Sequence, residues 1–363
     1  MKSLASLRTH VFAPMALAFA LTLTAAPAAQ AADGFRFDQR NLVSDGFVPA
    51  EHTDPNLINS WGIAFNPFGF VWVADADGHV STLYDGDGNA NALVVNIPTP
   101  TDPNGGGSPT GIVFNGSGNF LVAPNQPARF IFATEEGVIA AWAPGVDLTH
   151  AKVMANKSAS GASYRGLALS AGGQGQLLYA SDFFHAKVDV FDDKFQQVQM
   201  PAGSFVDPGI PKGYAPFGIH AIGGNIYVTY AKQDASMLED ETGPGKGFVD
   251  AYTPNGQLIR RVASRGVLNA PWGVALAPAK FGFFSNALLI GNFGDGRINA
   301  FEPVFGFGLG PLRDKHFRPI QIEGLWGLAF GNGLLNQPVN TLFFTAGPDD
   351  EEHGLYGRLD LKP

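Results

Sequence analysis

Six short segments of one kind recur along the chain, and their spacing constrains the fold more than any other feature. They are Trp61-Gly62-Ile63-Ala64-Phe65, Thr110-Gly111-Ile112-Val113-Phe114, Arg165-Gly166-Leu167-Ala168-Leu169, Phe217-Gly218-Ile219-His220, Trp272-Gly273-Val274-Ala275-Leu276 and Trp326-Gly327-Leu328-Ala329-Phe330. Their glycines lie 49, 55, 52, 55 and 54 residues apart. A period of that length sustained over a chain marks an array of like structural units. Each unit then repeats two more apolar runs around a polar loop. Residues 70–74 and 80–85 flank one such loop, 177–181 and 188–192 another, and 288–291 and 298–302 a third. Short β-branched or aromatic runs bounded by Gly, Asn and Asp are strand signals. Continuous apolar runs suit strands buried on both faces between stacked sheets. A more polar fourth strand is expected at 92–97, 151–155, 258–262 and 319–322.

Six units of four strands predict an all-β, six-bladed β-propeller. The last unit runs out of chain after residues 355–361, and the segment 36–44 has no other home. That N-terminal segment is expected to supply the missing outer strand of the last blade and close the ring. The repeated glycine sits where inner strands crowd the axis, so a residue without Cβ permits close backbone approach. The composition agrees. Among 363 residues, 46 Gly and 26 Pro without a three-residue period exclude collagen, and 45% hydrophobic content excludes a disordered chain. The absence of Cys excludes a disulfide framework, a thiolate metal site and a Cys nucleophile.

Residues 1–31 read as a secretory signal peptide. Lys2 and Arg8 give a basic start, residues 11–26 are apolar, and Ala29-Gln30-Ala31 is an A-x-A cleavage signal. Without a twin-Arg pair the general secretion route is expected, delivering the protein to the periplasm or beyond. The remainder, 32–363, is expected to be a single propeller domain with no membrane anchor, acting as a monomer. Cleavage removes two positive charges and takes the formal net charge from −9 to −11. Such an acidic protein is not expected to bind nucleic acid or an anionic membrane.

The repeat resembles the NHL type of six-bladed propeller, which recurs as Pro-x-Gly-[Ile/Val]-Ala. Ala270-Pro271-Trp272-Gly273-Val274-Ala275 and Ser108-Pro109-Thr110-Gly111-Ile112 carry the likeness. The run Asn59-Ser60-Trp61-Gly62-Ile63-Ala64 with Ala74-Asp75 is similar to an uncharacterised family of exported bacterial propellers, often from species that use a Pro-Glu-Pro sorting tail. The similarity covers residues 33–363. The ending Leu359-Asp360-Leu361-Lys362-Pro363 lacks that tail, so surface retention by that route is not expected. The resemblance implies the fold and leaves the activity open, because propellers host lactonases, lyases, dehydrogenases and scaffolds.

Chemistry is expected on the face that carries the loops between second and third strands. Those loops hold Asp75, Asp77, Glu135, Glu136, Asp182, Asp234, Glu239, Asp240, Glu241, Asp295, Asp349, Asp350, Glu351 and Glu352. Clustered carboxylates suit a hard cation, so calcium is the cofactor these loops suggest, with Asp75, Asp182 and Asp295 as candidate ligands. The competing reading is that each caps its own tight turn. Asp85-Gly86-Asp87-Gly88-Asn89 resembles the start of a calcium loop, but its twelfth position is Asn96 rather than Glu, which favours a hairpin turn.

The residues preceding the shared glycines form a second constellation. Trp61, Arg165, Phe217, Trp272 and Trp326, with Thr110, should approach the axis at one height, either lining a ligand-binding mouth or plugging the channel as core. Arg165, if buried, needs a carboxylate, which the acidic loops can supply. His220 is the acid–base candidate, against a structural role as a hydrogen-bonded core residue. The favoured function is an exported scaffold that binds a protein, glycan or small molecule on its acidic, aromatic-lined face. The alternative is a calcium-dependent hydrolase or lactonase acting in the channel. Such enzymes use a Glu/Asn/Asp metal set at the inner-strand entries, which here are largely aromatic; Asn59 and Asn269 are near, but no inner Glu matches.

Overall fold

A computed structural model describes residues 33–172 and 175–362, so the leader at 1–31 lies outside the described residues. Six blade sheets follow one another, antiparallel except where His52–Thr53 pairs in parallel with Phe37–Ser44 on the last, and their inner strands are Ser60–Phe65, Pro109–Phe114, Tyr164–Gly172, Tyr214–Ile222, Pro271–Leu276 and Leu325–Phe330. Every one carries the repeated glycine. The six-bladed β-propeller read from the period is the fold.

The glycines are required by sterics between blades. A Cβ on Gly62 would stand 2.6 Å from the carbonyl oxygen of Thr110 in the next blade. One on Gly327 would stand 2.7 Å from the carbonyl oxygen of Trp61, across the junction of the last blade with the first. The other four meet the next inner strand in the same way, so the repeat is the footprint of the ring itself. The step beside each glycine also breaks the ladder. Register slips between Ser60 and Ile63, Tyr164 and Leu167, Pro216 and Ile219, Pro271 and Val274, and Leu325 and Leu328. Such bulges re-aim side chains, and here they turn the residue before each glycine toward the axis.

The apolar second and third strands pack between blades. Val71–Asp75, Val80–Tyr84, Phe130–Thr134 and Val138–Trp142 are buried along their whole length. Burying a large apolar side chain contributes roughly 1.5–3 kcal/mol, and every blade interface holds several. Trp72, Ile112, Phe130 and Trp142 fill the gap between blades one and two. Val71, Val73, Phe343 and Tyr356 fill that between six and one.

Closure follows the expected course. Phe37–Ser44 pairs antiparallel with Leu355–Leu361, from Phe37 opposite Leu361 to Ser44 opposite Leu355. Two outer edges depart from the sequence reading. The fourth strand of blade five is Gly308–Pro311 rather than 319–322, because the chain turns back at once after Phe301 and pairs through backbone groups that do not depend on β-forming side chains. In blade three, among the described residues, only the Phe191–Gln197 bridge stands in the fourth position. Among the described residues no helix is long and apolar enough to cross a membrane.

Candidate functional site

Bulged inner strands bring Trp61, Phe217, Trp272 and Trp326 to the axis, where all are buried, none more than 4% exposed. Trp61 stacks on Trp326 with ring centres 3.5 Å apart, and Phe217 and Trp272 meet both edge-on at 5.7–6.2 Å. The rings therefore form a plug with no free face. Thr110 is buried beside them and donates to the Tyr164 carbonyl at 2.8 Å, tying blade two to blade three.

Arg165 lies on this plug, its guanidinium carbon 5.4 Å from the centre of the Trp61 ring. It is 4% exposed, and as expected for a buried guanidinium it is met by carboxylates. Nη1 donates to Glu135, and Nη2 donates to Glu239 at 3.1 Å and to the Leu238 carbonyl at 2.5 Å. Trp272 Nε1 donates to the Arg165 carbonyl at 2.7 Å, so plug and cation hold each other.

A second polar group joins from blades one and six. Asn59 donates through Nδ2 to Asp77 at 3.0 Å and to Glu351 at 2.9 Å, while its Oδ1 accepts from Trp326 Nε1 at 3.2 Å. The indole donor fixes which way the amide points, leaving its N–H groups for the two carboxylates. Glu351 is delivered by strained backbone. Asp349, Asp350 and Glu351 hold φ of 55°, 50° and 72°, and Asn59 holds 46°. Consecutive left-handed residues other than glycine cost on the order of 1 kcal/mol each and concentrate where a side chain must be aimed.

The mouth thus has carboxylates in excess of its cation. Burial pushes Glu351 up to about 7, opposed by the Asn59 hydrogen bond and Arg165. Burial likewise pushes Asp240 up to about 7, with Arg165 opposing and Glu239 adding to the rise. Asp240 Oδ2 is buried with no donor among the described residues. Glu239, Asp240 and Glu351 belong to the acidic loops that the sequence singled out. Their convergence on Arg165 could not be read there, because register within long loops is not encoded by any period.

The three aspartates that are candidate calcium ligands occupy separate blades, and each bonds within its own. Asp75 is fully buried and accepts from Ser60 Oγ at 2.8 Å and Thr82 Oγ1 at 2.7 Å; burial holds its carboxyl well above the usual range, against those two donors. Asp182 accepts from the Ser163 amide at 3.2 Å and contacts His185 Nδ1 at 2.7 Å. Asp295 accepts from Asn292 Nδ2 at 3.0 Å and the Arg297 amide at 3.2 Å. Among the described residues no three His, Asp or Glu side chains gather in a way that could hold a metal ion. Asp85 closes a turn on the amides of Asp87 and Asn89, both at 2.9 Å.

His220 lies beyond the plug, on the wall of a cavity of about 320 Å³ at the opposite end of the channel, with Phe114, Leu167, Ile219 and Val274. Its Nε2 donates to the Trp272 carbonyl at 3.0 Å. Burial brings its pKa down to about 4 despite that bond, so the ring is neutral and Nδ1 keeps a free lone pair. The plug separates it from every carboxylate of the mouth.

Comparison with known proteins adds relatives. No protein-family model matches the chain. An uncharacterized protein of Acanthamoeba polyphaga mimivirus is 37% identical over 328 residues, 88% of this chain and 78% of that protein. A second uncharacterized mimivirus protein is 34% identical over 328 residues, 88% and 84% of the two chains. These relatives are viral, whereas the sequence resemblance pointed to bacteria. Among solved structures, a protein of unknown function from Bacteroides thetaiotaomicron superposes with a TM-score of 0.52 at 12% identity, covering 89% of this chain and 72% of that one. A gluconolactonase from Xanthomonas campestris superposes with a TM-score of 0.51 at 14% identity, covering 84% and 86%. At such identities the likeness is one of fold.

Proposed function

The chain belongs to the family of these uncharacterized mimivirus proteins, and from that premise we propose that it is a binding scaffold whose acidic mouth receives a cationic group of a partner protein. One observation carries the reading: Glu135 and Glu239 share a single guanidinium, Arg165, beside the buried carboxyls of Asp240 and Glu351. A partner's ammonium or guanidinium entering this ring would donate to Glu351 and to the unmatched Asp240 Oδ2, and would relieve repulsion among carboxylates. A protein side chain suits the mouth better than a glycan, because the rings at the axis have no free face on which a sugar could stack. Residues 1–31 would serve as its export leader, for which mass spectrometry of the secreted protein should find Ala32 first.

The competing reading is a calcium-dependent hydrolase or lactonase. It is favoured by the approach of Asp77 and Glu351 to one point, now held by the Asn59 amide, and by the fold shared with the gluconolactonase. Calorimetric titration with hexa-arginine and, separately, with calcium chloride decides between them. The scaffold reading expects saturable hexa-arginine binding that weakens with salt and is lost in Glu239→Gln/Glu351→Gln. No heat with the peptide, together with calcium binding that is lost in the same variant and accompanied by turnover of lactones, would overturn it.

A further inference from the structure

On the face opposite the acidic mouth, a cavity of about 800 Å³ opens between blades one and two. Its place follows from register: Phe114, Phe130 and Trp142 stand opposite one another at the strand ends farthest from Glu135. Trp72 stacks on Phe130 at 3.9 Å and meets Trp142 at 4.8 Å, making an aromatic floor. Phe114 and Phe68, the latter 83% exposed, form a wall. The rim is completed from blade six by the loop carrying Leu334 and Leu335, which is tied down by Asn332 Nδ2 donating to the carbonyls of Asn66 at 2.7 Å and Gly69 at 2.8 Å. The cavity is therefore formed before any ligand arrives.

Its polar equipment is sparse. Trp142 Nε1 is already spent on the Leu148 carbonyl at 3.0 Å, and Asn66 Oδ1 accepts from the Phe68 amide at 3.0 Å. What remains is the Asn66 Nδ2 amide and one charged group, Arg129. Its backbone is held from both sides, by N–H donation to the Trp142 carbonyl at 2.7 Å and by a bond from the Asn115 amide at 2.8 Å. Its guanidinium is exposed and has no hydrogen bond or ion pair among the described residues. Arg40, Arg165, Arg261, Arg318 and Arg358 pair with carboxylates, whereas Arg260 and Arg313 bond to the carbonyls of Pro303 and Phe317 and Arg265 lies over the Phe248 ring. In a chain with 32 acidic residues against 23 basic ones, Arg129 combines a guanidinium without hydrogen bond or ion pair among the described residues with a place on the rim of a preformed aromatic cavity.

We propose that this cavity binds a small anionic amphiphile, with a flat apolar body between Phe68, Phe114 and the aromatic floor and a single carboxylate or sulfonate on Arg129. The volume is that of a site for a small organic ligand, and such sites are apolar with few placed polar groups. A sugar would bring many hydroxyl groups to a lining that can satisfy few. A plain hydrocarbon would leave the guanidinium unused.

The probe is 8-anilinonaphthalene-1-sulfonate, read by emission sensitised from Trp72 and Trp142, beside the neutral N-phenyl-1-naphthylamine of similar shape. One saturable site is expected for each. Arg129→Gln should weaken the sulfonate about tenfold and leave the neutral probe unchanged. Phe68→Ser should weaken both. Both side chains are exposed, and circular dichroism melts would verify that the variants fold. Unsaturable binding, sulfonate affinity unchanged by Arg129→Gln, equal weakening of both probes by that variant, or indifference of both probes to Phe68→Ser would each overturn the proposal.

Discussion

Arg165 and Arg129 stand in adjacent blades, at opposite ends of the propeller, and meet opposite fates. Arg165 occupies a bulge next to a repeat glycine and is turned to the axis, into contact with Glu135, Glu239 and the face of Trp61. Arg129 stands just before a regular second strand, Phe130–Thr134, and its side chain is left at a rim with no partner among the described residues. The same backbone plan, repeated six times, therefore makes one cation a structural element and the other an available one. Position within the repeat decides which. Removing the structural cation should break the acidic mouth. Arg165→Met would leave Glu135 and its neighbours without a countercharge among buried rings, a change expected to cost about 3–5 kcal/mol. Thermal unfolding should register it as the largest loss of any variant considered, and adding Glu135→Gln should recover part of it, because the two residues share one interaction.

The two ends of the channel should also respond to pH with opposite signs. His220 titrates near 4 in the fold, below its ordinary 6.5, so the fold favours its neutral form. Its contribution is complete above 6.5 and is lost as pH falls toward 4, by on the order of 2 kcal/mol. His220→Gln keeps a donor for the Trp272 carbonyl and should remove that slope, as measured by denaturant midpoints between pH 4 and 7. An unchanged slope would place the ring in contact with water rather than in the apolar channel.

Glu351 at the mouth works the other way. Its folded value of about 7 lies above the ordinary 4.5. Its contribution is complete below 4.5 and declines as pH rises through 7, where the charged carboxylate joins its crowded neighbours. Glu351→Gln should therefore stabilise the protein at pH 8 by about 1 kcal/mol, a figure reduced for the partial exposure of the loop. At pH 5 the difference should vanish. A variant that loses stability at both pH values would mean that the Asn59 hydrogen bond outweighs the repulsion.

The contrast also explains what was legible in the sequence. The six glycines and the residues before them could be read because each faces the same constraint, the carbonyl of the next inner strand, and a shared constraint leaves a period. The closing strand could be read from a unit that lacked one. Asp75, Asp182 and Asp295 were legible both as calcium ligands and as caps of their own turns, since sequence does not tell whether an aspartate at the start of a tight turn points outward or back onto its own amides. Gly308–Pro311 escaped notice because Gly-Leu-Gly-Pro has no strand-forming composition and pairs through backbone alone. Glu239 reaches Arg165, and Glu351 reaches Asn59, from loops whose course no period governs. The aromatic cavity was invisible for a related reason: Trp72, Phe114, Phe130 and Trp142 carry the strand pattern of two units, and only the stacking of those blades brings their ends together.

The smallest expected effect is the sharpest test of the comparison. Arg129→Gln removes a full charge, as Arg165→Met does, from a protein of the same fold. If availability is set by position in the repeat, the change should leave stability within about 0.5 kcal/mol, since no carboxylate loses a partner and the residue's backbone bonds to Trp142 and Asn115 do not involve the side chain. Thermal melts of the two variants, run side by side at pH 7, would then differ by several kcal/mol in effect while matching in charge removed. A loss for Arg129→Gln approaching that of Arg165→Met would mean that the guanidinium is held in solution by a contact, and the division between structural and available cations would fall.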